Sequence, residues 1–148
     1  MTWDPGLASA LLGMFWAAFL SATVLPGASE VLFAGLLVSG AVELPTLLAV
    51  ATTGNTLGSV ANWYCGRFLL HLSGRRWFPV SAKQLDRAGR AFARFGTPSL
   101  LFAWVPVVGD AITVVAGMSR VDLRVFVPLV AVGKLARYLA IAIAVSRT

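Results

Sequence analysis

Two carboxylates set the terms on which this chain can fold. Glu30 and Asp110 each lie in an otherwise apolar stretch, four residues after a proline, in "PGASEVLFAGLLV" and "PVVGDAITVVAGM". A charged side chain at mid-membrane costs about 2.5–3.5 kcal/mol on insertion scales, so it persists where it faces protein or water. Broken backbone at that depth has the same requirement, because unpaired N–H and C=O groups cannot be left against lipid. Both acids should therefore face inward, and the breaks at Pro26, Gly27, Pro106 and Gly109 should meet each other or a polar cavity.

That argument presumes a bilayer, and composition supplies one. The chain is 58% hydrophobic and 12% charged, with a mean hydropathy of +0.82, against the roughly 45–50% apolar content of soluble domains. The net charge of +6 does not imply a nucleic-acid partner, because the cations cluster beside hydrophobic segments as topology signals do. The lone Cys65 and lone His71 can form neither an internal disulfide nor a metal site, and no Ser, His and Asp set gathers around His71. Neither an enzyme nor a cofactor is expected. The first cation in the chain is Arg67, so the leading apolar run lacks the basic start of a cleaved signal peptide and is expected to stay.

The apolar runs come in unequal lengths. Leu7 to Leu25 stops at Pro26-Gly27, and Val31 to Val38 is too short to cross, since about twenty apolar residues are needed. The pair reads as a hairpin. Pro45 to Leu70 is the first full span, with Pro45 at a helix start and Gly54, Asn55, Gly58 and Asn62 inside. Residues 71–96 carry Arg75, Arg76, Lys83, Arg87, Arg90 and Arg94 against Asp86, with Leu85, Ala88, Phe92 and Phe95 at three- and four-residue spacing opposite the cations. This predicts an amphipathic helix lying on the membrane surface, cytoplasmic by the positive-inside rule. A short run to Val105, the Pro106 break, Asp110 and a second short run to Met118 follow. A polar turn at Arg120, Asp122 and Arg124, expected on the cytoplasmic side, leads to a second full span, Val125 to Val145, which carries Lys134 and Arg137.

The halves superpose. An offset of 80 residues takes Pro26 to Pro106, Glu30 to Asp110 and Ser39 to Ser119; with a one-residue gap, Gly54 matches Gly133 and Asn55 matches Lys134. If the basic segment is cytoplasmic, the two spans run in opposite directions and the hairpins open to opposite faces. The expected fold is thus an all-α integral membrane protein, one domain over 1–148. A first repeat (1–70), a basic cytoplasmic loop and amphipathic helix (71–96) and a second repeat (97–148) form an inverted repeat of two re-entrant, broken-helix hairpins, each followed by a transmembrane helix.

Lys134 and Arg137, three residues apart, share a helical face and would balance the two acids in a closed polar site, which Asn55 and Asn62 could line from the other span. Such charges can be structural ion pairs and interhelical hydrogen bonds. They can also switch, because burial favours the protonated acid while a neighbouring cation favours the ionised one. Gly54-x-x-x-Gly58 fits close helix packing within the bundle, and Trp63, Trp77 and Trp104 fit interfacial anchors or packing residues.

"LPGASEVLFAGLLVSG", "ATTGNTLGSVANWYCGR" and "RFGTPSLLFAWVPVVGDAITVVAGMSR" together resemble the DedA family, also called the VTT or SNARE-associated domain, and most closely its small YqaA-like bacterial branch. The resemblance runs from about Phe19 to Arg137. It implies an inner-membrane protein with two facing re-entrant hairpins, from a family associated with lipid scrambling or with proton-motive-force-dependent translocation of undecaprenyl phosphate. By position, Glu30 matches the acid closing the first hairpin motif, and Gly54, Gly58 and Gly66 match the glycine-rich span. The second hairpin departs from the family's arginine-rich pattern: this chain has Trp104, Pro106, Gly109 and Asp110 there. Undecaprenyl phosphate is accordingly not carried over as the substrate, although Lys134 and Arg137 could substitute for those arginines from a different element.

The expected activity is movement of an amphipathic lipid or lipid phosphate across the bacterial inner membrane, proton-coupled through Glu30 or Asp110. The alternatives are a non-transporting membrane-biogenesis or assembly factor and a carrier of a small anionic solute. Membrane lipids are the expected partners. A second copy, making a homodimer, is a further candidate partner, since two spans and two half-crossings make a thin wall around polar groups.

Overall fold

The computed structural model describes residues 4–23, 27–69, 71, 75, 78, 80–105 and 108–147. Pro26 and Pro106, the two expected break points, and Trp77 lie outside the described residues. Those that are described form seven helices and no strand: α1 (Pro5–Thr23), α2 (Ala28–Ser39), α3 (Leu44–Phe68), α4 (Ala82–Phe95), a 3-10 helix (Thr97–Trp104), α5 (Val108–Met118) and α6 (Leu123–Ser146).

Local signals place most of these boundaries. Asp4 accepts the Gly6 N–H at 2.9 Å ahead of α1, with Pro5 at the helix start. Gly27 and Gly40 bracket α2 at φ 92° and 69°, left-handed values that a glycine adopts without a Cβ clash. Ser81 and Gln84 form a reciprocal capping box at the start of α4, and Asp122 caps α6 by accepting the Arg124 N–H at 2.9 Å.

Two of these helices, α1 and α6, are long and apolar enough to cross a membrane. The expected second span and α6 coincide. The expected first span, α3, has the length, with 25 residues or about 37 Å at 1.5 Å per residue. It is not among the two because its interior face is polar rather than hydrocarbon-like. α1, read from sequence as one arm of a hairpin, has 19 residues, whereas the arm that precedes α5 is an eight-residue 3-10 helix. The halves are unequal in their first elements and closely matched in α2 with α5 and α3 with α6.

Glycines fix how the helices meet. A Cβ at Gly54 would come within 2.6 Å of the Phe15 carbonyl oxygen, and one at Gly58 within 2.5 Å of the Phe19 carbonyl oxygen. With Asn62 bonded to the Ala22 carbonyl, contacts advance in the same direction along both helices, so α1 and α3 run parallel. Its last turn lies level with Asn62, and the chain returns through α2 to the start of α3. α3 and α6 are antiparallel, since Asn55 bonds Tyr138 while the Trp63 indole donates to the Val121 carbonyl at 2.9 Å. In the second half Gly133 faces the Leu101 carbonyl of the 3-10 helix, as Gly54 faces α1. The short helices exchange halves: α2 packs on α6 and α5 on α3.

Two apolar clusters result. Met14, Ala18, Phe33, Val42, Leu47, Ala51, Tyr138 and Ala142 make one; Trp63, Leu100, Ile112, Val114, Phe126 and Val130 belong to the other. Along α3 and α6 the residues between the clusters are polar, and they fall at mid-length of both helices. α4 does not present its apolar side outward as a free surface helix would. Ala88 is buried, and Leu85 and Phe92 pack on the second cluster, so the stripe read as a membrane-facing surface is largely covered by α5.

Candidate functional site

The polar layer is assembled on one turn of α6. Lys134, fully buried, places Nζ 3.4 Å from Asp110 Oδ1. Arg137, one turn on, pairs with Glu30 Oε1. The two acids stand in the first turns of α5 and α2, so two short helices begin at the centre of the bundle with their N-terminal ends on the same stretch of α6. A carboxylate is favoured at such an end, where the helix dipole and unpaired N–H groups leave partial positive charge.

Hydrogen bonds extend each pair. Asn55 Nδ2 donates to the Tyr138 hydroxyl at 3.0 Å, Tyr138 donates to Ser29 Oγ at 2.8 Å, and Ser29 donates to Glu30 Oε1 at 3.2 Å. On the Asp110 side, Asn62 Nδ2 donates to the Ala22 carbonyl at 2.7 Å and to Thr113 Oγ1 at 3.2 Å, and Thr113 donates to the Asp110 carbonyl at 2.5 Å. Tyr138 also lies against Phe33, ring centroids 5.0 Å apart. The layer therefore ties α1, α2, α3, α5 and α6 together.

Several polar atoms in it carry no hydrogen-bond partner among the described residues: Glu30 Oε2, the side-chain oxygens of Asn55 and Asn62, and the hydroxyls of Ser21, Thr52, Thr56 and Ser59. Five of these seven residues, Thr52, Asn55, Thr56, Ser59 and Asn62, recur at three- and four-residue spacing along α3 and form one polar seam. Buried polar groups in membrane helices normally find partners, so this seam is the least satisfied part of the layer.

Glu30, Asp110, Lys134, Arg137, Asn55 and Asn62 are thus brought to one layer, and Gly54 and Gly58 sit beside it against α1. Gly27 has the left-handed conformation of a turn. Gly109 differs from the break expected of it: it lies within α5, buried, where a Cβ would strike the Ala103 backbone, so its role is close approach to the 3-10 helix. Tyr138, Ser29 and Thr113 were not singled out from sequence. Tyr138 follows Lys134 by four residues and so shares its face, which was the available signal. Trp63 is buried as a packing residue, and Trp104 is exposed.

The VTT domain family matches residues 25–147. The inner membrane protein YqaA of Escherichia coli K12 is 37% identical over 137 residues, covering 93% of this chain and 92% of that protein. A YqaA of Shigella flexneri matches to the same extent. A Haemophilus influenzae protein is 37% identical over 141 residues, covering 90% of this chain and 86% of its own length. No solved structure matches.

Proposed function

This chain belongs to the VTT-domain, or DedA, family, and from that premise we propose that it is a bacterial inner-membrane protein that translocates or scrambles a lipid with an anionic headgroup. In this reading α2 and α5 are half-crossings, the two hairpins enter from opposite faces, and residues 71–96 are cytoplasmic. The observation that carries it is the pairing of Glu30 and Asp110 with two cations from one turn of α6. Each cation is held by a carboxylate that a proton can neutralise. Protonation frees the cation for a phosphate, and arrival of the phosphate favours it. The ends of α2 and α5 add partial positive charge to the same place. The open oxygens of Asn55 and Asn62 would accept from headgroup hydroxyl or amine donors.

The test is reconstitution of the full chain in liposomes with labelled lipids of anionic and neutral headgroup. Purified protein should equilibrate the anionic lipid between leaflets, and Glu30→Gln should abolish most of that activity while leaving insertion unchanged. A Glu30→Gln protein that scrambles at the parent rate would remove Glu30 from the mechanism.

A second reading is favoured by the mutual satisfaction of the four charges: the pairs only hold the hairpins closed, and the protein acts in membrane assembly. Neutralising both partners, Glu30→Gln with Arg137→Gln, which keeps a polar pair and puts no cation at the start of α2, separates the two. It should preserve folding in both readings, and it should stop lipid movement only if Glu30 handles protons in place.

A further inference from the structure

Two hollows that the interior site does not use lie where α4 meets α5 and the 3-10 helix. One, of about 270 Å³, is lined by Lys83, Gln84, Arg87 and Val108 among others. The other, of about 330 Å³, is lined by Ala91, Phe95, Phe102, Val105, Val108 and Ile112. Ser99 also borders the second hollow, but its hydroxyl donates to the Gly96 carbonyl at 2.6 Å and offers no free donor. Val108 is common to both, so they abut. Gln84, Ala88, Ala91 and Phe95 follow one another at three- and four-residue steps, with Arg87 beside Ala88, which makes a single groove running about 16 Å along the helix, at 1.5 Å per residue over the eleven steps from Gln84 to Phe95. It is cationic at one end and apolar at the other.

The charges at the cationic end repel each other. Lys83 and Arg87 are exposed and four apart, a like-charge spacing that destabilises a helix. The single acid of α4, Asp86, is engaged with Arg90 at 3.3 Å. No ion pair among the described residues involves Lys83 or Arg87. An anion between them would relieve the repulsion, and an alkyl chain would fill the adjoining apolar hollow. An acidic peptide would satisfy the first end and not the second.

We propose that the groove between α4, the 3-10 helix and α5 binds an anionic phospholipid, its phosphate between Lys83 and Arg87 and an acyl chain in the hollow bordered by Ala91, Phe95 and Phe102. This site is separate from the interior layer and stands whether or not that layer moves lipid. It gives α4 a role that its covered apolar face leaves open: the helix grips the membrane through one bound lipid and its outward cations.

Native mass spectrometry of the full chain in mild detergent tests it, with phosphatidylglycerol and phosphatidylcholine of identical chains as probes. The parent should retain phosphatidylglycerol preferentially. Lys83→Gln with Arg87→Gln should weaken that retention about tenfold, as two charge-assisted contacts are lost. Val108→Trp, which fills the junction, should reduce binding of both lipids. Arg120→Gln with Arg124→Gln removes the same charge at another exposed place and should leave the preference intact. Equal loss in that control, undiminished retention in the α4 variant, or complete displacement by millimolar glycerol phosphate would overturn the site. Unchanged melting temperatures identify losses that come from binding.

Discussion

At Lys134 the energetics of a buried pair are asymmetric. The ammonium is fully enclosed and its partner Asp110 nearly so. Removing one member leaves an uncompensated charge, which costs about 3–5 kcal/mol, whereas replacing both with apolar residues of similar volume is often neutral. Lys134→Met should therefore lower the melting temperature in detergent sharply, and adding Asp110→Leu should restore most of it. If the single substitution were harmless, the pair would not be holding α5 to α6. The four charges were legible in the sequence because ionised groups in apolar runs have few places to go. Ser29, Thr113 and Tyr138 were not, since hydroxyls are ordinary in membrane helices and only the folded arrangement reveals which of them complete a network.

Between helices the decisive residues are those that are missing a side chain. Gly66 faces the Val114 carbonyl, and Gly117 faces the Trp63 carbonyl, so a methyl at either position would overlap backbone. Backbone cannot yield as a flexible side chain can, and overpacking costs about 1–3 kcal/mol or more. Gly66→Ala and Gly117→Ala should each unfold earlier in a thermal melt by that amount. Gly13→Ala and Gly35→Ala, where nothing lies within 4 Å, should be neutral or stabilising by about 0.4–1 kcal/mol. A uniform response of all four would mean that α3 and α5 are not in contact as described. Spacing alone pointed to Gly54 and Gly58, because four-residue repeats are visible along one chain. Gly66 meets Val114, 48 residues further along the chain, and Gly117 meets Trp63, 54 residues back, and no local pattern encodes either contact.

At the scale of the molecule, the order of helices was readable while their depth was not. Length and hydropathy marked α6 as a crossing, but they could not separate a hairpin arm from a span in α1, because both require the same apolar run. Contacts resolve what composition leaves open: α1 runs parallel to α3, α3 antiparallel to α6, and the turn after α2 joins the start of α3 while the turn after α5 joins the start of α6. The start of α6 lies beside Trp63, near the end of α3. Those two turns therefore sit at opposite ends of the bundle. With a bilayer around the polar layer they should open to opposite compartments, and the basic α4 should share a side with the second turn under the positive-inside rule. Single cysteines in a Cys65→Ala background read this directly, at Ala41, Ser119 and Arg90, all exposed. A membrane-impermeant maleimide should label Ala41→Cys in intact cells and reach Ser119→Cys and Arg90→Cys only after permeabilisation. Labelling of Ala41→Cys and Ser119→Cys from the same side would remove the inverted arrangement, and with it the idea that Glu30 and Asp110 approach one layer from opposite faces.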